Sequence, residues 1–176
     1  MLPLIGVALV GAAAAVLGIA AKKPNEFRIR RSTRINTTPD RVYPHLIDFR
    51  KWEAWSPWEK LDPALKRTHS GAASGKGAVY DWEGNSKAGK GRMEITDTSA
   101  PNRVVIAIHF IKPFEARNVV EFQLEPSGGG TDVTWSMSGS NPFVMKVMGV
   151  FTDMDQMIGK DFEKGLAALK MVSEGR

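Results

Sequence analysis

Histidine is the side chain best suited to acid–base catalysis and metal binding near neutral pH, and this 176-residue chain has three. The sequence pattern places His45 on a helix, His69 on an edge strand and His109 on a central strand. No HxxxH or HxxE spacing adds a second ligand on the same face, as zinc sites require. The chain has no cysteine, which excludes thiolate ligands and disulfides. The sequence predicts no metal site and no cofactor.

Acidic and glycine-rich patterns also fall short of a catalytic site. The glycines from Gly84 to Gly91 lack the spacing of a phosphate loop and lie between antiparallel strands, so they predict a hairpin loop. Nothing marks a serine as an activated nucleophile. The last predicted helix carries acidic residues that spread over its outer surface, within reach of Lys160 and Lys164; they are Asp153, Asp155, Asp161 and Glu163. No catalytic residue is predicted.

The residues that point inward on the predicted sheet are mostly large and apolar. Tyr80, Asn118 and Thr33 are the polar exceptions, and they offer little for acid–base chemistry. Large apolar walls suit an apolar ligand, and methionines let such walls adapt. The predicted ligand-binding residues are Tyr80, Trp82, Met93, Ile106, Ile108, Phe110, Asn118, Phe122, Trp135, Met148, Phe151 and Ile158. The same side chains would fill a solid core equally well, and that alternative stays open.

Three tryptophans lie within seven residues, at Trp52, Trp55 and Trp58. Each indole favours burial with its N–H hydrogen-bonded. One interpretation is a structural plug that closes one end of the core. The other is an aromatic rim at the mouth of a cavity, and the two interpretations are compatible.

Alternation of apolar and polar residues predicts the strands that position these side chains. A first strand over residues 27–35 precedes a short helix that begins at Thr38 and Pro39, and six strands follow from residue 65. Antiparallel hairpins with short turns keep the apolar residues on one face of the sheet. The predicted cross-strand pairs are Trp82 with Met93, Ile95 with Ile106, Ile108 with Asn118, and Phe122 with Trp135.

Residues 141–172 repeat apolar side chains at intervals of three and four, which predicts one long α-helix. Asn141 suits its N-cap and Pro142 its first position. The apolar stripe of this helix must pack on the apolar face of the sheet. We expect Phe151 to line a cavity there and Phe162 to anchor a filled core. The predicted fold class is α+β, with a seven-stranded antiparallel sheet wrapped around the long C-terminal helix.

The N-terminal segment carries no charge from residue 2 to residue 21, a length that spans a bilayer as a helix. We predict a transmembrane anchor over residues 1–23 and one domain over residues 24–176. Positive charge follows the span, which predicts a single pass through the inner (cytoplasmic) membrane with the domain in the cytoplasm. The alternative is a signal peptide cleaved after Ala20, and an exported protein.

The net charge of +5 permits contact with anionic lipid or with nucleic acid. The basic residues form no long run, so nucleic acid is not a predicted partner. Lys22, Lys23, Arg28 and Arg30 follow the uncharged segment closely enough to contact lipid phosphates. A solvated strand face is an equal alternative for the two arginines. The sequence does not indicate a protein partner.

Five stretches of the chain carry a resemblance to a known family: TTPDRVYPHLIDFRKWEAWSPW, YDWEGN, GKGRMEI, GGGTDVTWSMSG and GKDFEKGLAALK. They are similar to the START-like helix-grip superfamily, also called SRPBCC, and within it to the bacterial polyketide cyclase/dehydrase-type branch. The resemblance covers residues 27–169. It implies an internal cavity between sheet and helix, used for lipids, sterols, polyketides or plant hormones, and no fixed catalytic set.

We therefore expect a membrane-anchored module that binds a hydrophobic small molecule or lipid between the sheet and the C-terminal helix. One alternative is an enzyme of the cyclase or dehydratase type that acts on a polyketide-like substrate. An inward acid or base with a shifted pKa would favour that alternative. The other alternative is a scaffold with a closed core that binds a partner.

Overall fold

A computed structural model describes the backbone of residues 2–175, and the side chains of residue 11 and residues 13–175. The first elements are α1 (Leu2–Lys22), β1 (Glu26–Ile35), α2 (Pro39–Leu46) and two 3₁₀ helices (Phe49–Ala54 and Pro57–Lys60). The strands β2 (Lys66–Gly71), β3 (Ala78–Glu83), β4 (Lys90–Ser99), β5 (Arg103–Lys112), β6 (Ala116–Ser127) and β7 (Gly130–Ser140) follow. The last elements are α3 (Phe143–Phe151) and α4 (Met154–Glu174).

The strands of the described chain form one seven-stranded sheet in the order β1-β7-β6-β5-β4-β3-β2, with every neighbouring pair antiparallel. The predicted pairs Ile95–Ile106, Ile108–Asn118 and Phe122–Trp135 are confirmed. The predicted Trp82–Met93 pair is wrong, because Tyr80 pairs with Met93 and Trp82 pairs with Gly91. The indole of Trp82 lies over Gly91, where a Cβ would collide with the ring. The alternating pattern thus predicted which residues point inward. It did not predict the β3–β4 register, which depends on the absence of a side chain at Gly91.

The core lies between the inward face of the sheet and α4. Phe162, Leu166 and Leu169 on α4 are fully buried against sheet residues such as Phe122 and Trp135. Helix α4 also contacts β1, α2 and both 3₁₀ helices. The predicted α+β helix-grip architecture is therefore confirmed.

The predicted single helix over residues 141–172 is wrong, because the chain forms two helices there. Thr152 has an extended backbone, with φ −132° and ψ 131°, and ends α3. Asp153 then caps α4 by accepting a hydrogen bond from the backbone N–H of Gln156 at 3.1 Å. Apolar residues continue at helical spacing across the break, which is why their periodicity alone did not show it.

Helix α3 packs on α1 and lies apart from the core. Lys146 is buried as a residue, and its ammonium donates to the side-chain oxygen of Asn25 at 2.6 Å. The backbone N–H of Asn141 donates to the carbonyl of Asn25 at 2.7 Å. Among the residues whose side chains are described, no helix combines the length and apolar character needed to cross a membrane. The predicted anchor includes residues 1–10 and 12, whose side chains lie outside the described part of the chain, so anchoring stays a prediction.

Candidate functional site

A cavity of about 260 Å³ lies between the inward face of the sheet and α4. Its walls come from β3 to β7, the 3₁₀ helices, the loop after β3 and the first half of α4. The lining residues are Trp52, Ser56, Trp58, Glu59, Leu65, Tyr80, Trp82, Ala88, Met93, Ile108, Phe110, Val120, Trp135, Met137, Ile158 and Phe162. Most of them are aromatic or aliphatic, so the interior presents apolar surface with few polar groups.

Several of the predicted ligand-binding residues lie together on the cavity wall: Tyr80, Trp82, Met93, Ile108, Phe110, Trp135 and Ile158. Ile106 and Phe122 lie in the solid core next to it and are fully buried. Asn118 is also buried outside the cavity lining, and its amide donates to the sulfur of Met137 at 3.8 Å. The inward face therefore holds both a filled core and a cavity.

Met148 and Phe151 do not reach the cavity, contrary to their predicted place on its wall. Both lie on α3, beyond the break at Thr152, and their exposed fractions are 43% and 74%. Phe162, which the sequence placed in a filled core, is 1% exposed and also lines the cavity. The break at Thr152 explains why Met148 and Phe151 lie away from the cavity. The prediction assumed one continuous helix, in which α3 would have continued along the sheet.

The three clustered tryptophans lie in and beside the cavity wall. Trp52 and Trp58 line the cavity, and their place at its mouth stays a prediction. Trp55 is buried in the core, with its ring 5.5 Å from that of Trp135 and 6.0 Å from that of Phe122. The indole N–H of Trp52 donates to the carbonyl of Leu46, and that of Trp55 donates to the carbonyl of His45.

A polar corner, formed by Glu59, Arg67 and Tyr80, interrupts the apolar wall. The Tyr80 hydroxyl donates to one carboxylate oxygen of Glu59 at 2.7 Å. The Arg67 guanidinium donates from Nε to the other oxygen of Glu59 at 2.7 Å. The Glu59 carboxylate is buried and needs such hydrogen bonds. Arg67 is partly exposed and also pairs with Glu53 at 3.1 Å.

Tyr80 remains a neutral phenol at ordinary pH. Burial raises the pKa of its hydroxyl far above 10, and the hydrogen bond to the negatively charged Glu59 raises it further. The same carboxylate raises the pKa of Arg67, mainly through its hydrogen bond. The polar corner therefore consists of three side chains whose polar atoms are hydrogen-bonded to one another.

Sequence reasoning missed Glu59 and Arg67. Glu59 lies in a 3₁₀ helix, where no strand parity indicates its direction, but its position directly after Trp58 was a usable signal. Arg67 lies on β2 opposite Trp82, and His69 lies opposite Tyr80. Had β2 been paired with β3 in the prediction, strand parity would have shown that Arg67 and His69 share the inward face.

The basic residues predicted to contact lipid lie near the α1–β1 connection. Lys22, Arg28 and Arg30 are exposed, and Lys23 runs past Gly149 of α3. Arg30 also donates to the hydroxyl of Thr134 at 3.4 Å. These positions leave both predicted interpretations open, lipid contact and a solvated face.

The acidic residues of α4 have structural partners. Arg31 on β1 donates to Asp155 at 2.9 Å and to Glu163 at 2.8 Å, which ties the edge strand to the helix. Lys164 pairs with Asp161 at 3.1 Å. Within the described residues, no group of three histidine or acidic side chains is arranged to hold a metal ion.

Comparison with known proteins identifies one family and many structures of similar fold. The family model described as polyketide cyclase / dehydrase and lipid transport matches residues 26–174. No curated protein matches the sequence.

Solved structures of similar fold include CV1439 from Chromobacterium violaceum, with a TM-score of 0.60, 16% identity and coverage of 86% of this chain and 99% of that one. Aha1 from Colwellia psychrerythraea has a TM-score of 0.59, 17% identity and coverage of 84% and 96%. DynU16, from the dynemicin biosynthetic locus, has a TM-score of 0.59 and 13% identity, and the match covers 88% of this chain but 49% of DynU16. At these identities the likeness shows a shared fold alone.

Proposed function

The chain belongs to the polyketide cyclase / dehydrase and lipid-transport family, and from that premise we propose that it binds one compact hydrophobic molecule between the sheet and α4. The observation that carries this proposal is the cavity of about 260 Å³, whose walls include Trp52 and Trp58. A void lined by large apolar side chains is costly to keep in a protein core, since the neighbouring atoms lose contacts across it. Binding a ligand restores those contacts.

The size and lining of the cavity favour a compact ligand. Pockets for drug-sized molecules have volumes of roughly 300–1,000 Å³, so this cavity lies near the lower limit. That volume favours a molecule of one or two rings, or a short chain, over a sterol or a two-chain lipid. Met93 and Met137 give the wall some freedom to adapt to the shape of the ligand.

The enzymatic alternative rests on the polar corner. A cyclase or dehydratase needs an inward acid or base whose pKa lies near the working pH. The pKa of Tyr80 is shifted away from neutrality, and the carboxylate of Glu59 is engaged by both Tyr80 and Arg67. These contacts support a binding role for the site over proton transfer. A scaffold with a closed core has less support, because the interior contains a cavity.

Native mass spectrometry of the full-length protein tests the binding proposal. We expect a non-covalent small molecule, or a molecule added from a panel of aromatic ketones, medium-chain fatty acids and quinones, to remain with the wild-type protein. Val120→Phe fills the cavity from β6 and should abolish the bound species. Val119→Phe adds the same side chain to the opposite, exposed face of the strand and should retain it. Failure of every panel member to bind the wild type, or equal binding by both variants, contradicts the proposal.

Location at a membrane is a separate proposal, supported by the sequence of α1. The helix is 21 residues long, and its first charged residue is Lys22. If α1 anchors the domain, alkaline carbonate will leave the protein with membranes, and deletion of residues 2–21 will release it. A mature protein that begins near Ala21 would show that the segment is a signal peptide instead.

A further inference from the structure

Helix α3 turns its charged side chain toward the protein and its large apolar side chains toward solvent. Lys146, the one charged residue of α3, is buried as a residue. The apolar side chains on the other side of the helix are each between 43% and 74% exposed; they are Phe143, Val144, Met148 and Phe151. A helix at a protein surface in water normally shows the reverse arrangement, because water solvates charged groups well and apolar groups poorly.

Hydrogen bonds to the segment between α1 and β1 fix this orientation. The Lys146 ammonium donates to the side-chain oxygen of Asn25 at 2.6 Å. Asn141, just before α3, donates from its backbone N–H to the carbonyl of Asn25 at 2.7 Å. Its side-chain amide donates to the carbonyl of Pro24 at 3.1 Å. A rotation of α3 that buried its apolar residues would therefore break the contact between Lys146 and Asn25.

Exposed apolar side chains also occur on the two helices next to α3. Helix α1 packs on α3, and its residues Leu17 and Ile19 are about half exposed. Helix α4 follows α3 directly, and Met157 near its start is also about half exposed. Exposed apolar surface of this kind marks a place where a protein contacts another apolar surface.

The charges near α3 indicate what that apolar surface is. Residues 1–25 and 141–152 contain no acidic residue. Lys22, Arg28 and Arg30 are exposed at the end of α1 and on β1, and Glu26 is the one acidic residue among them. An uncharged apolar face with basic side chains nearby matches an anionic bilayer, in which acyl chains lie beneath negative headgroups. A second copy of the chain is a poorer match, because a symmetric contact would bring the same positive charges together.

We propose that α3 inserts its exposed face into the surface layer of an anionic lipid bilayer. The exposed apolar side chains of α3 then contact acyl chains, and the basic residues contact headgroups. The nine residues of α3 are about 14 Å long, which is too short to cross the hydrocarbon core of about 30 Å. This inference goes beyond ligand binding in the cavity, and it adds a second lipid contact to the one proposed for α1.

The test places a fluorescent label on α3 in the full-length protein. The chain has no cysteine, so one introduced cysteine carries the only label. Val144→Cys and Phe151→Cys report on the exposed face of α3. Ser99→Cys is the control, because Ser99 is exposed and lies at the end of the sheet away from α3.

Each variant carries a nitrobenzoxadiazole label and is reconstituted into phosphatidylcholine vesicles that contain phosphatidylglycerol. Fluorescence is measured with and without lipid that carries a nitroxide quencher near the headgroup end of an acyl chain. We expect the quencher lipid to remove most of the fluorescence from both α3 labels and to leave the Ser99→Cys label unchanged.

A second set of variants tests whether the apolar face causes the contact. Val144→Glu and Met148→Glu are combined in the Phe151→Cys protein, which adds two negative charges to the exposed face. Charged side chains are costly among acyl chains, so we expect the quencher lipid to lose its effect on this label. The matched control adds the same two charges at exposed positions away from α3, as Thr68→Glu and Ser99→Glu, and should keep the quenching.

Quenching of both α3 labels that disappears only with the glutamates on α3 supports the proposal, whether or not alkaline carbonate extracts the protein. Unquenched α3 labels overturn it, even if carbonate leaves the protein in the membrane through α1. Labels in an apolar environment that the quencher lipid does not reach also overturn it, because protein then covers α3. Quenching that persists with the glutamates on α3, or that both sets of glutamates abolish, contradicts the role of the apolar face. None of these results depends on a ligand in the cavity, so the binding proposal is tested separately.

Discussion

Tyr80 shows how much of the cavity's polarity depends on single side chains. It is one of two tyrosines in the chain, and its hydroxyl donates to the buried carboxylate of Glu59. Without that donor, one oxygen of Glu59 would lie unpaired beside apolar walls. The hydrogen bond keeps a charge buried next to a site that is otherwise suited to hydrophobic molecules.

Tyr80→Phe should lower the free energy of unfolding by about 1–3 kcal/mol, the usual cost of leaving a buried polar atom unsatisfied. Urea unfolding of the full-length protein measures this. Tyr43→Phe is the matched control, because Tyr43 lies on α2 away from Glu59, and its cost should stay below about 0.5 kcal/mol. Equal small losses for both variants would show that the Tyr80–Glu59 bond does not matter to the fold.

Glu121 on β6 should make stability depend on acid pH. Arg103 donates to its carboxylate at 2.6 Å, and this hydrogen bond holds the pKa of Glu121 below its ordinary value near 4.5. A carboxyl with a depressed folded-state pKa contributes its stability fully above the unfolded-state pKa and loses it as pH falls through the folded-state value. The stabilising contribution of Glu121 is therefore present at neutral pH and lost in acid.

Urea unfolding of wild type and Glu121→Gln, from about pH 6 to about pH 3, tests this linkage. Wild type should be the more stable protein at the upper end of the range, and the difference should shrink as pH falls. Asp161→Asn, at a surface helix pair with Lys164, makes the same change of charge and serves as the control. A constant difference between wild type and Glu121→Gln across the range would contradict the assignment.

At the scale of elements, the break between α3 and α4 separates two environments. Residues of α4 after Asp153 pack on the sheet, whereas α3 packs on α1. Phe162 is therefore fully buried, while Phe151, only eleven positions earlier, is 74% exposed. The two phenylalanines belong to one apolar pattern in the sequence, but they should contribute very differently to the free energy of unfolding.

Phe162→Ala should cost about 3–5 kcal/mol, because it removes a ring stacked on Trp135 and enlarges the interior void. Phe151→Ala should cost less than about 0.5 kcal/mol, since an exposed ring leaves no cavity behind. Urea midpoints of the two variants measure the difference. A large loss at Phe151 would mean that α3 packs on the core, contrary to this structure.

The sequence predicted an element well where the feature that determines it appears in the local pattern of residues. Strand parity predicted the inward residues of β5 and the Phe122–Trp135 pair, because alternation needs no knowledge of the partner. The Trp82–Gly91 pairing depends on the length of the β3–β4 loop and on a missing side chain, which parity does not record. The α3–α4 break depends on one extended residue, Thr152, inside an uninterrupted apolar repeat. Glu59 lies in a 3₁₀ helix, where neither the alternation of a strand nor the spacing of an α-helix indicates the direction of a side chain.

At the scale of the whole molecule, the fold leaves a gap where the sheet and α4 separate. The buried part of α4 after Phe162 packs tightly, while the first half of the helix, with Ile158, borders the cavity. Trp52, Trp58 and Glu59 line this gap from the side of the 3₁₀ helices.

The most direct test of the binding site is the effect of 1-tetralone, a compact aromatic ketone, on the urea unfolding of the full-length protein. A ligand that binds only the folded state raises the free energy of unfolding with the logarithm of the ligand concentration. The increase is about 2.7 kcal/mol at one hundred times the dissociation constant. We predict that the wild-type and Val119→Phe midpoints rise with tetralone concentration, while the midpoint of Val120→Phe, whose cavity is filled, stays constant. A wild-type midpoint that does not respond, or an equal rise in Val120→Phe, would contradict a ligand site between the sheet and α4.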